Sequence, residues 1–186
     1  MTGKGGTVAK VKGANVLAAV KMLRANRERA IKLLPPAHHH YLDERILASS
    51  WYPETDQLEL LRAVSFMLPG TPDPWVTIGR IAARDDLKDL YRTMVRPGDL
   101  KDTLRVSSSL WHTLHDTGEL RLTLEAPGRV VATLRGYVLA REMCRVIGGY
   151  VTEFVSAGGV QQVTTRKSEC AHDGAAQCSW RLTWSA

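Results

Sequence analysis

The sequence has two phenylalanines and three cysteines among its 186 residues, and no apolar run near the ~20 residues that a membrane-spanning helix requires. An odd cysteine count makes no disulfide framework and points to a reducing, cytoplasmic setting. The opening residues Met1-Thr2-Gly3-Lys4 lack the apolar core of a secretory signal, so an untargeted domain is expected. Enzyme signatures are missing as well. Gly3-Lys4-Gly5-Gly6 is a tail and not a strand-to-helix phosphate loop, no Gly-x-Ser-x-Gly elbow occurs, and no helix carries the paired histidines of a zinc protease. There is no zinc-finger, basic-zipper or RNA-recognition pattern, so nucleic acid is not expected as a partner. The chain reads as a non-enzyme.

What is present is an ordinary globular composition, 44% apolar and 24% charged, which excludes disorder. The net charge of +6 is unevenly placed: residues 1–36 carry +7 and the other 150 carry −1. A basic tail and first helix could meet an acidic partner. A solvated helix face is the simpler reading.

Periodicity divides the chain into a flexible basic tail, residues 1–12, and a single domain over 13–186. Its part 13–115 is helical. Val16, Leu17, Val20, Leu23, Ile31 and Leu34 recur at helical steps up to Pro35-Pro36, and a second helix is expected over 54–68. A third starts at Pro74 and carries Ile78, Ile81, Leu87, Leu90, Tyr91 and Met94 up to Pro97-Gly98. A fourth runs through Leu104 to Trp111 and Leu114. At Thr117-Gly118 the period drops to two. Strands are expected around Leu120–Leu124 and Val130–Arg135, a helix over 137–155, then strands over 160–170 and 178–184. The fold class is α+β: N-terminal helices packed on a four-stranded antiparallel sheet built as hairpin, helix, hairpin.

Chemistry concentrates on the cysteines. Cys170 and Cys178 flank the last hairpin loop and Cys144 lies on the apolar stripe of the preceding helix, so three thiols can converge. Thiolates bind zinc tetrahedrally, with His172 or Glu169 available as a fourth ligand. Free cysteines are equally at home as buried packing groups. His38-His39-His40 reads as a polar loop or helix start, and His112 with His115 has no third ligand in view.

The run from Gly136-Tyr137 through Cys144, Gly148-Gly149-Tyr150, Gly158-Gly159, Cys170 and Cys178-Ser179-Trp180 to Trp184 resembles the 4-vinyl reductase domain. That family is related to the small TRAPP subunits and to haem–nitric-oxide-binding sensor domains. As a whole the chain is similar to a myxobacterial paralogous family of unknown function, the Trp75–Arg80 and Trp111–Glu119 segments included. The resemblance implies an apolar ligand pocket, often in a homodimer, and in some members zinc on three cysteines and a glutamate. Lys167 stands at the glutamate's position here, which favours thiols that pack over thiols that bind zinc. Trp75, Trp111, His112, Tyr137 and Tyr150 are the candidate pocket residues. The expected function is a sensor or adaptor that binds a small apolar ligand and signals to an unidentified protein partner. A pure protein-interaction module is the alternative.

Overall fold

The computed structural model describes residues 8–88, 98–137 and 139–185. Leu90, Tyr91 and Met94 of the expected third helix, and the first seven residues of the tail, lie outside them. The class is α+β, with antiparallel sheets. The chain forms two compact units: one comprises the described residues up to Val64 with Leu114–Thr117, the other Ser65–Thr113 with Gly118 to the C-terminus. Among the described residues no helix is long and apolar enough to cross a membrane.

In the first unit a short strand β1, Lys10–Lys12, pairs antiparallel with β2, Trp51–Pro53. Residues 10–12 are therefore strand where a tail is expected. Three residues are too few for a period of two to show. The expected first helix is two, α1 (Gly13–Ala25) and α2 (Arg27–Leu33). Asn26 breaks it with φ −126° and ψ 45°, and its side-chain amide donates to the Met22 carbonyl at 3.0 Å. Asparagine does this wherever its amide competes with the helix ladder. The three histidines lie on a 3-10 stretch, Pro36–Leu42, where His39 and His40 donate to the carbonyls of Leu34 and Ala37. Helix α3, Glu54–Ser65, completes this part of the chain.

In the second unit α4 is Pro74–Lys88, and the expected single helix before the strands is again two, α5 (Leu100–Arg105) and α6 (Ser107–Leu114). Then come β3 (Glu119–Ala126), β4 (Arg129–Arg135), α7 (Arg141–Ala157), β5 (Thr164–Glu169) and β6 (Cys178–Thr183). The sheet order is β3-β4-β6-β5, all antiparallel. Hairpin, helix and hairpin thus appear as the alternation implies. Leu120, Leu122, Val130, Ala132, Leu134, Cys178, Trp180 and Leu182 are buried on one side of the sheet. Edge strand β5 instead turns Thr165 and Lys167 inward.

Helix α7 is buried along Met143, Cys144, Ile147, Val151 and Phe154. It meets α4 backbone to backbone. A Cβ on Gly79 would lie 1.9 Å from the Val146 carbonyl oxygen, and one on Gly149 would lie 2.2 Å from that of Val76. Such contact demands glycine. Gly79→Ala is expected to destabilise by about 1–3 kcal/mol, the usual cost of overpacking. A urea titration of the full chain measures it, and an unchanged midpoint would show that the two helices can part freely.

Candidate thiol site

Helix α7 opens with Arg141, whose guanidinium donates to the His172 carbonyl at 3.1 Å and to the Asp173 carboxylate at 2.6 Å. This pins the last hairpin loop to the first turn of α7. Cys144, one turn further along, is thereby set beside the hairpin's mouth. Glu169 pairs with Ser179, so the next step of the register brings Cys170 opposite Cys178. The three sulfurs lie within 4.8 Å of one another, and Cys144 Sγ is 3.7 Å from Cys178 Sγ. Cys144 and Cys178 are buried, while Cys170 is half-exposed.

The residue that gives the cluster its chemistry is Lys167. Its Nζ is buried without a hydrogen-bond acceptor and lies 4.4 Å above the Trp180 ring. The Cys144 and Cys178 sulfurs are the polar groups that face it. Burial pushes the Cys144 thiol well up, with Lys167 opposing. Burial also acts on Cys178, but the Ala171 N–H, donating to its sulfur at 3.4 Å, together with the Lys167 ammonium and the Cys144 thiol, brings it below its ordinary value. Lys167 loses affinity for its proton through burial and regains more from the two sulfurs, ending raised. Of the three thiols, Cys178 is the one whose surroundings ease it toward its anion, through a backbone N–H, an ammonium and a second thiol.

Neither fourth-ligand candidate joins the sulfurs. A register shift between Lys167 and Glu169 turns Glu169 to the far face, where its carboxylate accepts from Ser179 Oγ at 2.6 Å and Gln177 Nε2 at 3.1 Å. His172 lies half-exposed on the short turn Ala171–Asp173. Zinc would find three sulfurs, neither of these two donors, and an ammonium at its side that opposes a dication.

Two of the candidate pocket residues are brought together. Trp111 and Tyr137 form a buried edge-to-face pair, centroids 5.2 Å apart. Tyr150 donates from α7 to Asp86 of α4 at 3.1 Å, and burial, opposed by that bond, pushes the Asp86 carboxyl up to about 6. Trp75 is buried in the first turn of α4, which Asp73 caps through the N–H groups of Trp75 and Val76. His112 is exposed.

One polar group in the first unit was invisible as a site. Glu54, 1% exposed, accepts from His115 Nδ1 at 2.7 Å, and Asn15 Nδ2 donates to His115 Nε2 at 3.4 Å. These residues are 61 and 100 positions apart, so no local pattern joins them.

No protein-family model matches the sequence, and no curated protein does. Solved structures do. An H-NOX protein from S. oneidensis in the Fe(II)NO ligation state is 14% identical, with 94% of this chain and 99% of that one covered and a TM-score of 0.61. A structure on modulating haem redox potential through protein-induced porphyrin distortion is 15% identical, covering 93% and 99%, with a TM-score of 0.66. Another, on haem distortion in the H-NOX family, is 13% identical over 94% and 95%, with a TM-score of 0.66.

The chain has the H-NOX fold.

This corrects the resemblance to the 4-vinyl reductase domain, the TRAPP subunits and the myxobacterial paralogues: the structural neighbours are H-NOX domains. Two of the residues behind that resemblance are explained by packing. Gly149 admits the backbone of α4, and a Cβ on Gly148 would lie 3.1 Å from the Trp180 indole nitrogen. A helix laid this tightly on a hairpin needs such residues in any family.

Proposed function

We propose that the chain is a non-catalytic sensor module that takes its signal at the Cys144–Cys170–Cys178 cluster and passes it on through contacts with a protein partner. The observation that carries this reading is the convergence of three sulfurs and one buried ammonium on the joint between α7 and the last hairpin. Chemical change at any of the sulfurs alters how those two elements meet. The fold supports the reading too, since the matched H-NOX structures are described by their iron ligation state and haem distortion.

Haem itself does not fit the residues described. Its iron takes an axial donor such as histidine or a cysteine thiolate. All six histidines are among the described residues. His38 faces Asp56, His39 and His40 bond to backbone carbonyls, and His115 is held by Glu54 and Asn15. His112 is exposed and His172 half-exposed on its turn. The buried thiols face Lys167. Within the second unit, α4 touches α7 at Gly79 and Gly149, and α7 touches Trp180 at Gly148, which leaves no gap for a macrocycle between those layers.

Methyl methanethiosulfonate, a reversible thiol reagent, tests the sensor reading on the reduced full chain. We expect it to react first at half-exposed Cys170, leave the chain folded, and change amide exchange along α7 until a reductant reverses it. Changes confined to residues 171–177 would show that the cluster is not coupled to the helix.

A further inference from the structure

We propose that the wet face of the second unit's sheet, at Arg129, Arg166 and Arg181, is a docking surface for an acidic, extended segment of a protein partner. This rests on the reading of the chain as a module that signals through protein contacts, and names the chemistry of the partner.

The sheet register carries the inference. Arg166 of β5 stands directly opposite Arg181 of β6, and Arg129 of β4 pairs with Thr183, two residues further along β6. All three arginines are exposed. Each alternates with an inward residue: Lys167 beside Arg166, Trp180 and Leu182 beside Arg181, and Val130 beside Arg129. They therefore share the face opposite α7.

Like charges directly opposite one another on paired strands are destabilising. A sheet that had no use for this face would gain by placing an acid at one of the two positions. The other arginines of the face have partners: Arg121 pairs with Glu119 at 2.7 Å, and Arg135 Nε donates to Gln177 Oε1 at 2.7 Å. Among the described residues Arg129, Arg166 and Arg181 make no ion pair, and Glu125 of β3 pairs with none of them. Their cross-strand surroundings are Thr164, Thr183, Val131 and Thr123, which carry no charge.

The arrangement selects the occupant. A guanidinium is a planar fork that takes a carboxylate in two parallel bonds. In an extended chain, side chains two apart point the same way at about 6.8 Å spacing, and the arginines cross three strands set about 4.8 Å apart. Alternate carboxylates of one segment can each reach an arginine. Arginine, threonine and valine make up this part of the face, so bases of a nucleic acid would find no aromatic platform among the described residues. The same two strands carry the thiol cluster on their other side, with Cys178 and Arg181 on β6, and Lys167 and Arg166 on β5. A change in how these strands meet α7 reaches the docking surface directly.

The test is fluorescence anisotropy of a labelled glutamate–serine repeat peptide with the reduced full chain at low salt, with an oligothymidylate of equal length as the rival ligand. We expect the peptide to bind, to weaken as ionic strength rises, and to bind more tightly than the oligothymidylate. Arg166→Gln with Arg181→Gln should weaken it about tenfold, the effect of two exposed charge pairs together. Lys21→Gln with Lys32→Gln removes the same charge from exposed positions in the first unit and should leave binding unchanged. Arg181→Glu should abolish binding and raise the urea midpoint, because it turns an opposed pair into an attractive one. Equal weakening by the two double variants would show that the peptide senses net charge alone and would overturn the surface. So would tighter binding of the oligothymidylate, or a lowered midpoint in Arg181→Glu. If the arginine variants lose the peptide while methanethiosulfonate leaves exchange in α7 unchanged, the surface stands and the sensor reading falls. If methanethiosulfonate moves α7 and the wild type binds no peptide, the surface falls and the sensor reading stands.

Discussion

Lys167→Glu is expected to turn the thiol cluster into a zinc centre that retains about one zinc per chain through gel filtration, where the wild type retains none. The sulfurs are already placed for it. Tetrahedral Zn–S bonds of about 2.3 Å put sulfurs roughly 3.8 Å apart, and Cys144 and Cys178 are 3.7 Å apart with Cys170 close by. Among the described residues no His, Asp or Glu joins the three sulfurs, and a cation lies against two of them. The substitution reverses both at once. Without metal the new carboxylate would be buried against thiols with no cation, so the apo variant should melt below the wild type. Zinc at a hundred times its dissociation constant would add about 2.7 kcal/mol, because it binds the folded chain alone. Elemental analysis and melting curves with and without chelator read this out. A variant that takes up no zinc would show that the three sulfurs are not ready for a metal, and zinc on the wild type would show that Lys167 does not exclude one.

The part of the fold legible from the sequence was the part where one face is buried and the other wet. Leu120 and Leu122 alternate with Arg121 and Thr123, and Val130, Ala132 and Leu134 do the same, which is visible in a single sequence. The helix breaks at Asn26 and Val106 were not visible, because neither residue is proline or glycine and the apolar rhythm passes through both. Strands β1 and β2, three residues each, owe their existence to pairing with each other. Their own pattern carries no signal.

At the site, the hairpin register was enough to bring Cys170 to Cys178, and the apolar stripe of α7 was enough to add Cys144. What Lys167 does there was not legible. That depends on the irregularity between Lys167 and Glu169, which leaves the lysine facing the sulfurs and sends the glutamate to the other face. A one-residue shift in a six-residue strand has no sequence signature. The edge-to-face pairing of Trp111 with Tyr137 was not legible either, because the neighbour of each ring is set by chain segments far away.

His115→Ala is expected to cost about 3 kcal/mol, the penalty for taking away the donor that satisfies a buried acidic side chain. Glu54 is almost fully buried, with one carboxylate oxygen on His115 and the other lacking any hydrogen bond, so the imidazole is its main compensation. His115 also sits where the chain returns to the first unit. Val11 bridges to it, and the adjoining Asp116 exchanges bonds with Lys10, accepting from its N–H at 2.7 Å and donating to its carbonyl at 3.1 Å. Losing the ring therefore strands a carboxylate and loosens the Leu114–Thr117 segment together. The cost comes from the stranded partner and not from the missing contact alone. Replacing both members, Glu54→Met with His115→Leu, should accordingly cost far less than His115→Ala, because two apolar groups of similar volume leave nothing buried and uncompensated. Urea denaturation of the two variants and the wild type separates the cases. A single variant within about 1 kcal/mol of wild type, or a double variant as unstable as the single, would show that Glu54 finds its compensation elsewhere.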